Sequence, residues 1–351
     1  MRIVYISNGI TGIGGLERVL SVKASFFSEV LGYEVFIITL NEAECTPFYP
    51  FSPRISFCNV QTQSKGLAYL QSYVQGINRW IDKINPDVIC VCDDGIKGLY
   101  IPLWIHRGKS RLIYERHASL QFCTHPWQRV LMQLGGKLYH KIVVLTQYNA
   151  KEWHWGNIEV IPNPLSLHPK TVSSLQSKRI ICVGSLSENK GYDLLIKAWS
   201  NIASRYPDWS IHIYGKGNSS PYRQAVENAG LTQQIEFHSP TDQIEEEYIA
   251  SSMLVLPSRS EGFGMVLIEA MSCGLPCVSF DCPSGPRDII SHGEDGFLVK
   301  PQDTDELGKR ITQLIESEEL RKKMGQAARK NSQRYKMEEI APLWEKVFKC
   351  K

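Results

Sequence analysis

The sequence predicts an α/β chain of two domains, each built on a parallel sheet. Three observations carry this. Short β-rich runs alternate with amphipathic helical stretches over most of the chain. Several of those runs, such as Asp87–Cys92 and Lys141–Leu145, are apolar throughout rather than at every second residue. That is the pattern of strands buried on both faces, which parallel sheets covered by helices require. The alternation also breaks once, near residue 162. A chain of 351 residues fits two domains at about 150 residues each.

In the first half the strands are Arg2–Ser7, Glu34–Leu40, Asp87–Cys92, Arg111–Tyr114 and Lys141–Leu145. Gly15–Leu31 reads as a helix, with apolar residues at 16, 19, 20, 26, 27 and 30. Leu67–Ile84 is a second, because Leu70, Val74, Ile77 and Ile81 recur at spacings of three and four. Ile161-Pro162-Asn163-Pro164 and the stretch from His168 to Ser177 hold prolines and serines and no periodic hydrophobics, the signature of a linker. A second series follows. Its strands are Lys178–Val183, Trp209–Tyr214, Ile235–His238, Ser252–Leu256 and Pro276–Ser279; its helices are Gly191–Arg205, Tyr222–Ala229 and Met265–Cys273. Two such sheets joined by a proline-rich hinge predict a cleft, the usual place for a ligand.

Composition excludes several classes. Charged residues at 21% and hydrophobics at 43% are ordinary for a globular chain. No apolar run approaches the ~20 residues of a membrane span, and residues 1–9 read as a first strand rather than a signal peptide. A cytoplasmic location is expected. The ten cysteines are therefore expected as thiols. Cys273, Cys277 and Cys282, near His292, have irregular spacing, and buried thiols outweigh a zinc site there. Net charge is +3. Residues 97–153 hold nine Lys/Arg against only Glu115 and Glu152. Aromatics interleave with them, and Pro126–His140 is an amphipathic helix candidate with Trp127, Val130, Leu131, Leu134 and Leu138 beside Arg129 and Lys137. No nucleic-acid-binding module is present. An anionic membrane surface and a plain solvated face remain the two readings of this stretch.

Three loops can carry chemistry. Asn8–Gly15 follows the first strand and runs into a helix. Its glycines would let backbone N–H groups approach a phosphate, although the spacing is not G-x-G-x-x-G. Val183–Gly191 ends a strand and carries Lys190 to the next helix, where an ammonium can neutralise a phosphate. The strongest is Pro257-Ser-Arg-Ser-Glu261-Gly-Phe-Gly-Met-Val-Leu-Ile-Glu269-Ala-Met271. Here Gly262-Phe263-Gly264 forms a turn into a helix, with Glu261 before it and Glu269 within its second turn. A carboxylate can accept two hydrogen bonds from vicinal hydroxyls, and the helix N-terminus can hold phosphate oxygens. The plainer reading of the two acids is a capping carboxylate and a solvated one. Asp303-Thr304-Asp305 precedes the helical stretch Glu306–Ile315 and reads as a helix cap rather than a metal motif. Asp93-Asp94-Gly95 reads as a strand-end turn.

This third loop, with Gly274-Leu275-Pro276, Pro283–Ile290 and Gly293–Val299, closely resembles the retaining GT-B glycosyltransferases of the family-4 type. Glu261 and Glu269 match that family's Glu-x7-Glu pair. The resemblance extends through Gly14-Gly15-Leu16-Glu17-Arg18, Pro162-Asn163-Pro164, Gly184–Gly191 and Tyr214–Gly217, and is loosest over 41–140. It implies two Rossmann-like domains facing across a cleft: an acceptor domain over 1–165, a donor domain over 166–336, and a helix over 337–351 packing back on the first. It implies a nucleotide-sugar donor, with UDP as the expected nucleotide, and transfer of a hexose or N-acetylhexosamine with retention to a growing, lipid-linked glycan of surface polysaccharide assembly. Glu269 would hold the ribose. Glu261 and the backbone of Gly262, Phe263 and Gly264 would face the donor sugar, and Lys190 the diphosphate, joined by the Gly14-Gly15 backbone. His117, after a strand end, resembles the family's acceptor-side polar position. Neither a metal nor a cofactor is expected. The family usually has an arginine where this chain has Ser185, and Arg259 or Lys216 could substitute for it. The alternatives are a GT-B epimerase or phosphorylase, and a silent nucleotide-sugar-binding partner.

Overall fold

The computed structural model of the chain describes residues 1–43, 45–63, 65–92, 95–119 and 125–349. Asp93 and Asp94, read above as a turn, lie outside the described residues, as do the last two residues of the predicted C-terminal helix. The chain divides into two compact units, residues 1–166 with 336–351, and residues 167–335.

The first unit holds a seven-stranded parallel sheet in the order β3-β2-β1-β4-β5-β6-β7. Its strands are β1 (Arg2–Ile6), β2 (Glu34–Leu40), β3 (Ser56–Val60), β4 (Val88–Val91), β5 (Arg111–Arg116), β6 (Lys141–Val144) and β7 (Ile158–Val160). The periodicity misses β3 and β7. Both are short outer strands, and β3 shows only Cys58 and Val60 to the core. Helix α1 (Gly15–Glu29) covers one face of the sheet; α2 (Gly66–Ile84), α3 (Ile96–Tyr100) and α4 (Pro126–Gly136) cover the other. A short α5 (Gln147–Lys151) precedes β7.

The second unit has six parallel strands in the order β10-β9-β8-β11-β12-β13. These are β8 (Arg179–Val183), β9 (Ser210–Tyr214), β10 (Ile235–His238), β11 (Met253–Leu256), β12 (Cys277–Phe280) and β13 (Gly296–Val299). Helices α6 (Tyr192–Ser200), α7 (Ser220–Asn228), α8 (Ile244–Ile249), α9 (Met265–Ser272) and α10 (Pro286–Ile289) run between them, and α11 (Thr304–Glu316) and α12 (Glu318–Ser332) follow. Asp303 caps α11, its carboxylate accepting from the Glu306 N–H at 3.0 Å. The proline- and serine-rich stretch is not a free linker throughout. Ser173 donates through its N–H to the Cys273 carbonyl at 2.9 Å, and Ser173 and Leu175 are buried on the second unit.

The last helix, α13 (Met337–Lys349), belongs to the first unit. Met337, Ile340, Trp344, Val347 and Phe348 pack with Leu20 and Phe27 of α1 over the sheet. Under this helix lies a fully buried lysine. Lys23 on α1 is 1% exposed and pairs with Glu115 of β5, itself 2% exposed. The ammonium sits 4.1 Å from the Trp344 ring centroid and 5.0 Å from that of Tyr5. Burial alone would raise the Glu115 carboxyl. The Lys23 charge, with His117, overrides it and pulls the group down from 4.5 to about 2. Sequence reasoning did not single out this pair, because a lysine on a helix reads as solvated.

Among the described residues, no helix is long and apolar enough to cross a membrane. The cysteines at 58, 90, 92, 182, 273, 277 and 282 are buried free thiols.

Removing one partner of the buried pair strands a charge, which typically costs about 3–5 kcal/mol. Lys23→Ala should therefore lower stability by roughly that amount in urea unfolding. The folded-state value of about 2 lies below the ordinary 4.5. Glu115 thus stabilises fully above pH 4.5, and this contribution is lost as pH falls through about 2. Glu115→Gln should flatten that acid limb, and an unchanged limb would show that the pair does not govern it.

Candidate active site

In a doubly wound sheet, ligands bind beyond the carboxyl ends of the strands, where the strand order reverses. In the second unit that point lies between β8 and β11, which pair through Met253 with Ile180 and Leu254 with Ile181. The β8 loop carries Ser185 and Lys190; the β11 loop carries Glu261, Gly262, Phe263 and Gly264. Topology thus brings together two motifs that lie 71 residues apart.

The two loops meet directly. Lys190 Nζ donates to Glu261 Oε1 at 2.7 Å. Glu261 is 7% exposed, and the Lys190 side chain 19%. Behind Lys190, Gly191 adopts φ +68°, and a Cβ there would lie 2.0 Å from the Pro257 carbonyl oxygen. Only glycine lets the β8 loop lie this close to the end of β11. The lysine stem crosses Gly184, next to Ser185, whose exposed hydroxyl is 3.2 Å from that of Ser187.

After Glu261 the chain turns into α9. Gly264 is its N-cap, in the left-handed region at φ +97°. No side chain caps α9 there, and the N-terminus of a helix is a setting that favours anions. Phe263 is buried and meets Tyr335 edge-on, with centroids 5.8 Å apart. Ser284 donates through Oγ to the Gly262 carbonyl at 2.9 Å. Glu269 is 1% exposed and accepts from the Tyr248 hydroxyl of α8 at 3.2 Å. It is neither a cap nor a solvated acid. A carboxylate enclosed this way has the tyrosine hydroxyl as a hydrogen-bond partner in place of solvent. Sequence reasoning missed Tyr248, which carries no motif, and met Ser284 only within the stretch Pro283–Ile290 without a role. Both make these contacts through the neighbours the fold provides.

The two cations offered in place of an arginine at 185 behave differently. Arg259 is engaged by Asp193, with Nη1 to Oδ1 at 2.9 Å and Nη2 to Oδ2 at 2.7 Å. Lys216 is exposed, and its carbonyl accepts from the Leu186 N–H at 2.8 Å.

The remaining predicted positions belong to the first unit. Gly14 is the N-cap of α1 and Gly15 its first residue, at the strand-order reversal between β1 and β4. His117 follows β5, with Nε2 3.4 Å from Glu115 Oε2 and a side chain 10% exposed. With Val19, Lys23, Asn163 and Trp344 it lines a small cavity.

Two clusters among the described residues place three metal-ligating atoms within 4.8 Å of one another: Cys92, Glu115 and His117, and His212, Glu236 and His238. In the first, the carboxylate is bound to Lys23. In the second, the imidazoles bond each other, Nδ1 of His212 to Nε2 of His238, at 3.0 Å. Burial, then Arg179, lowers His212 to about 4. Cys273 and Cys282 are pushed by burial to about 12, far from a ligating thiolate.

Comparison with known proteins settles the family. The model for glycosyl transferases group 1 matches residues 166–331. The amylovoran biosynthesis glycosyltransferase AmsD of Erwinia amylovora is 30% identical over 362 residues, covering 99% of each chain. The chain belongs to the glycosyl transferases group 1. The lipopolysaccharide 1,6-galactosyltransferase of Salmonella typhimurium is 26% identical over 91% of this chain and 90% of its own. Anabaena HepE, solved in complex with UDP, superposes with a TM-score of 0.80 at 18% identity, covering 99% of this chain and 98% of its own. The two Rossmann-like units of this glycosyltransferase are thus those of the GT-B fold.

Gly191→Ala should separate the two loops. The added methyl meets a backbone carbonyl, and the φ is unfavourable as well. A loss of more than about 1 kcal/mol is expected from the melting temperature. A variant as stable as the parent would show that the seam tolerates opening.

Proposed function

We propose that this glycosyltransferase moves a hexose or N-acetylhexosamine from a UDP-linked donor to a growing, lipid-linked glycan, with retention at the anomeric carbon and without a metal. The observation that carries the reading is the Lys190–Glu261 pair at the strand-order reversal, beside the open N-terminus of α9 and the buried Glu269. Support for UDP comes from HepE, which binds it. Support for a surface-polysaccharide role comes from the amylovoran and lipopolysaccharide relatives.

In this reading Glu269 accepts the ribose hydroxyls. Glu261 accepts hydroxyls of the donor sugar, and Lys190 turns from Glu261 to the diphosphate. As the glycosidic bond breaks, negative charge grows on the departing diphosphate. In this reading Lys190 and the α9 amide groups stabilise it. Attack from the face the diphosphate leaves would retain configuration with no covalent carboxylate. Ser185 leaves one charge-assisted contact fewer than the family pattern, and Arg259, tied to Asp193, does not replace it. His117 is proposed on the acceptor side, oriented by Glu115.

Support for a lipid-linked acceptor comes from α4. Trp127, Val130 and Leu134 are 43–57% exposed. Arg129 and Lys137 are exposed beside them, and the Lys137 ammonium sits 4.0 Å from the centroid of the exposed Trp155 ring. Of the predicted stripe, Trp127, Val130 and Leu134 face outward, whereas Leu131 is half-buried and Leu138, beyond the helix end at Gly136, packs against the core. An exposed apolar and basic face of this kind suits a helix lying in a lipid interface.

Glu261→Gln separates the two roles of the pair. Removing the carboxylate frees Lys190 and lowers repulsion, so UDP alone should bind about threefold tighter or more. Turnover should nevertheless fall roughly tenfold or more, because the sugar contact is lost. Glu269→Ala should mainly raise the donor KM, and EDTA should leave the rate unchanged. Parent-like kinetics in both variants would overturn the site assignment; loss of activity in EDTA, restored by Mn²⁺, would overturn metal independence.

Arg129→Glu with Lys137→Glu should reduce co-sedimentation with anionic vesicles and leave UDP binding unchanged. No vesicle binding by the parent protein would overturn the membrane reading.

A further inference from the structure

The β8 and β11 loops are joined by more than the Lys190–Glu261 contact. The Arg259 backbone N–H donates to the Asn189 carbonyl at 2.7 Å, and Asn189 Nδ2 donates back to the Ser260 carbonyl at 2.8 Å. The Arg259 guanidinium reaches the Glu188 carbonyl at 2.5 Å and grips both oxygens of Asp193 in the first turn of α6. These contacts bracket Lys190 on one side, and the close approach of Gly191 to Pro257 brackets it on the other.

We infer that Arg259, Asp193 and Asn189 are positioning residues that lock the β8 loop onto the β11 loop, so that Arg259 acts on a bound diphosphate only through Lys190. The inference rests on the donor-site reading above. A lysine side chain is a flexible stem, so the arc its ammonium sweeps depends on how firmly its backbone is held. A two-pronged guanidinium–carboxylate contact fixes orientation as well as distance. The partners reinforce one another. Hydrogen bonding to Arg259 outweighs burial and holds the Asp193 carboxyl below its ordinary range, and the same bond raises Arg259. Arg259 thus completes the site in a way the family pattern at position 185 does not suggest. It supplies geometry instead of charge.

Calorimetric titration of UDP, with GDP in parallel, into the full-length protein tests this. The variants are Arg259→Gln, Asp193→Asn, their double, Lys190→Ala, and Lys190→Ala combined with Arg259→Gln. Both single changes at the arginine–aspartate pair should weaken UDP by roughly fivefold, and the double by no more than either single. Lys190→Ala should cost clearly less in the Arg259→Gln background than in the parent. Were Arg259 a direct diphosphate ligand, freeing it from Asp193 would tighten binding, and the two single changes would move in opposite directions. That result, or unchanged affinity in both, overturns the inference. So does an equal cost of Lys190→Ala in both backgrounds, the mark of a merely structural role; melting temperatures report that role separately. Parent-like affinity in Lys190→Ala, or no binding of either nucleotide by the parent, overturns the donor-site reading itself. It is distinguishable because it does not depend on Arg259.

Discussion

Both sheets are parallel throughout, and most of the structure follows from that constraint. Parallel strands cannot be joined by tight hairpins, so each connection must cross over and return to the same edge. All carboxyl ends then share one edge, and loops from distant parts of the chain meet wherever the strand order reverses. The β8 and β11 loops meet for this reason, and so do Lys190 and Glu261. The same constraint demands apolar cover on both faces. In the first unit α1 alone is not enough on its side. The chain therefore returns after the second unit, and α13 adds Ile340, Trp344, Val347 and Phe348 to that core.

Two lysine–carboxylate pairs show how burial changes the use of one interaction. Lys23 and Glu115 are almost fully enclosed between aromatic rings. Without water to solvate a released charge, neither can leave the other, and the pair is a fixed part of the packing that ties α1 to β5 beneath α13. Lys190 and Glu261 sit on loops, where the lysine is partly open to solvent. Its ammonium keeps access to water that the Lys23 ammonium lacks, so it can leave its carboxylate at modest cost.

The Glu261/Glu269 motif was legible because a turn and a short helix hold both acids within one local unit, so that spacing alone implies geometry. Capping by Asp303 was legible for the same reason. Strands β3, β7 and β13 and helix α8 were not. β7 is only partly buried, β3 and β13 lie at sheet edges, and α8 has six residues, too few to show a period. The partners that hold the site also carried no signal. Tyr248, Ser284, Asn189 and Asp193 lie 21–71 residues from the groups they touch, and no short pattern says which groups those are. Arg259 was legible as a cation, one of two offered beside Ser185, but its partner Asp193 was not, because a sequence does not say which acid a cation will meet.

What the sequence determined by itself was local: the run of strands and helices, the glycine-rich turns, the acidic pair on the β11 loop and α9, and the amphipathic pattern of α4. Periodicity, turn chemistry and short spacings act over a few residues, and they suffice for these features. What tertiary structure alone decided was pairing. It enclosed Lys23 with Glu115, seated Tyr248 on Glu269, gave Arg259 to Asp193, and laid α13 on the opposite end of the chain. Each of these is a choice among distant partners, made by strand order and by the free-energy cost of leaving a buried charge or polar group alone. No local pattern encodes that choice.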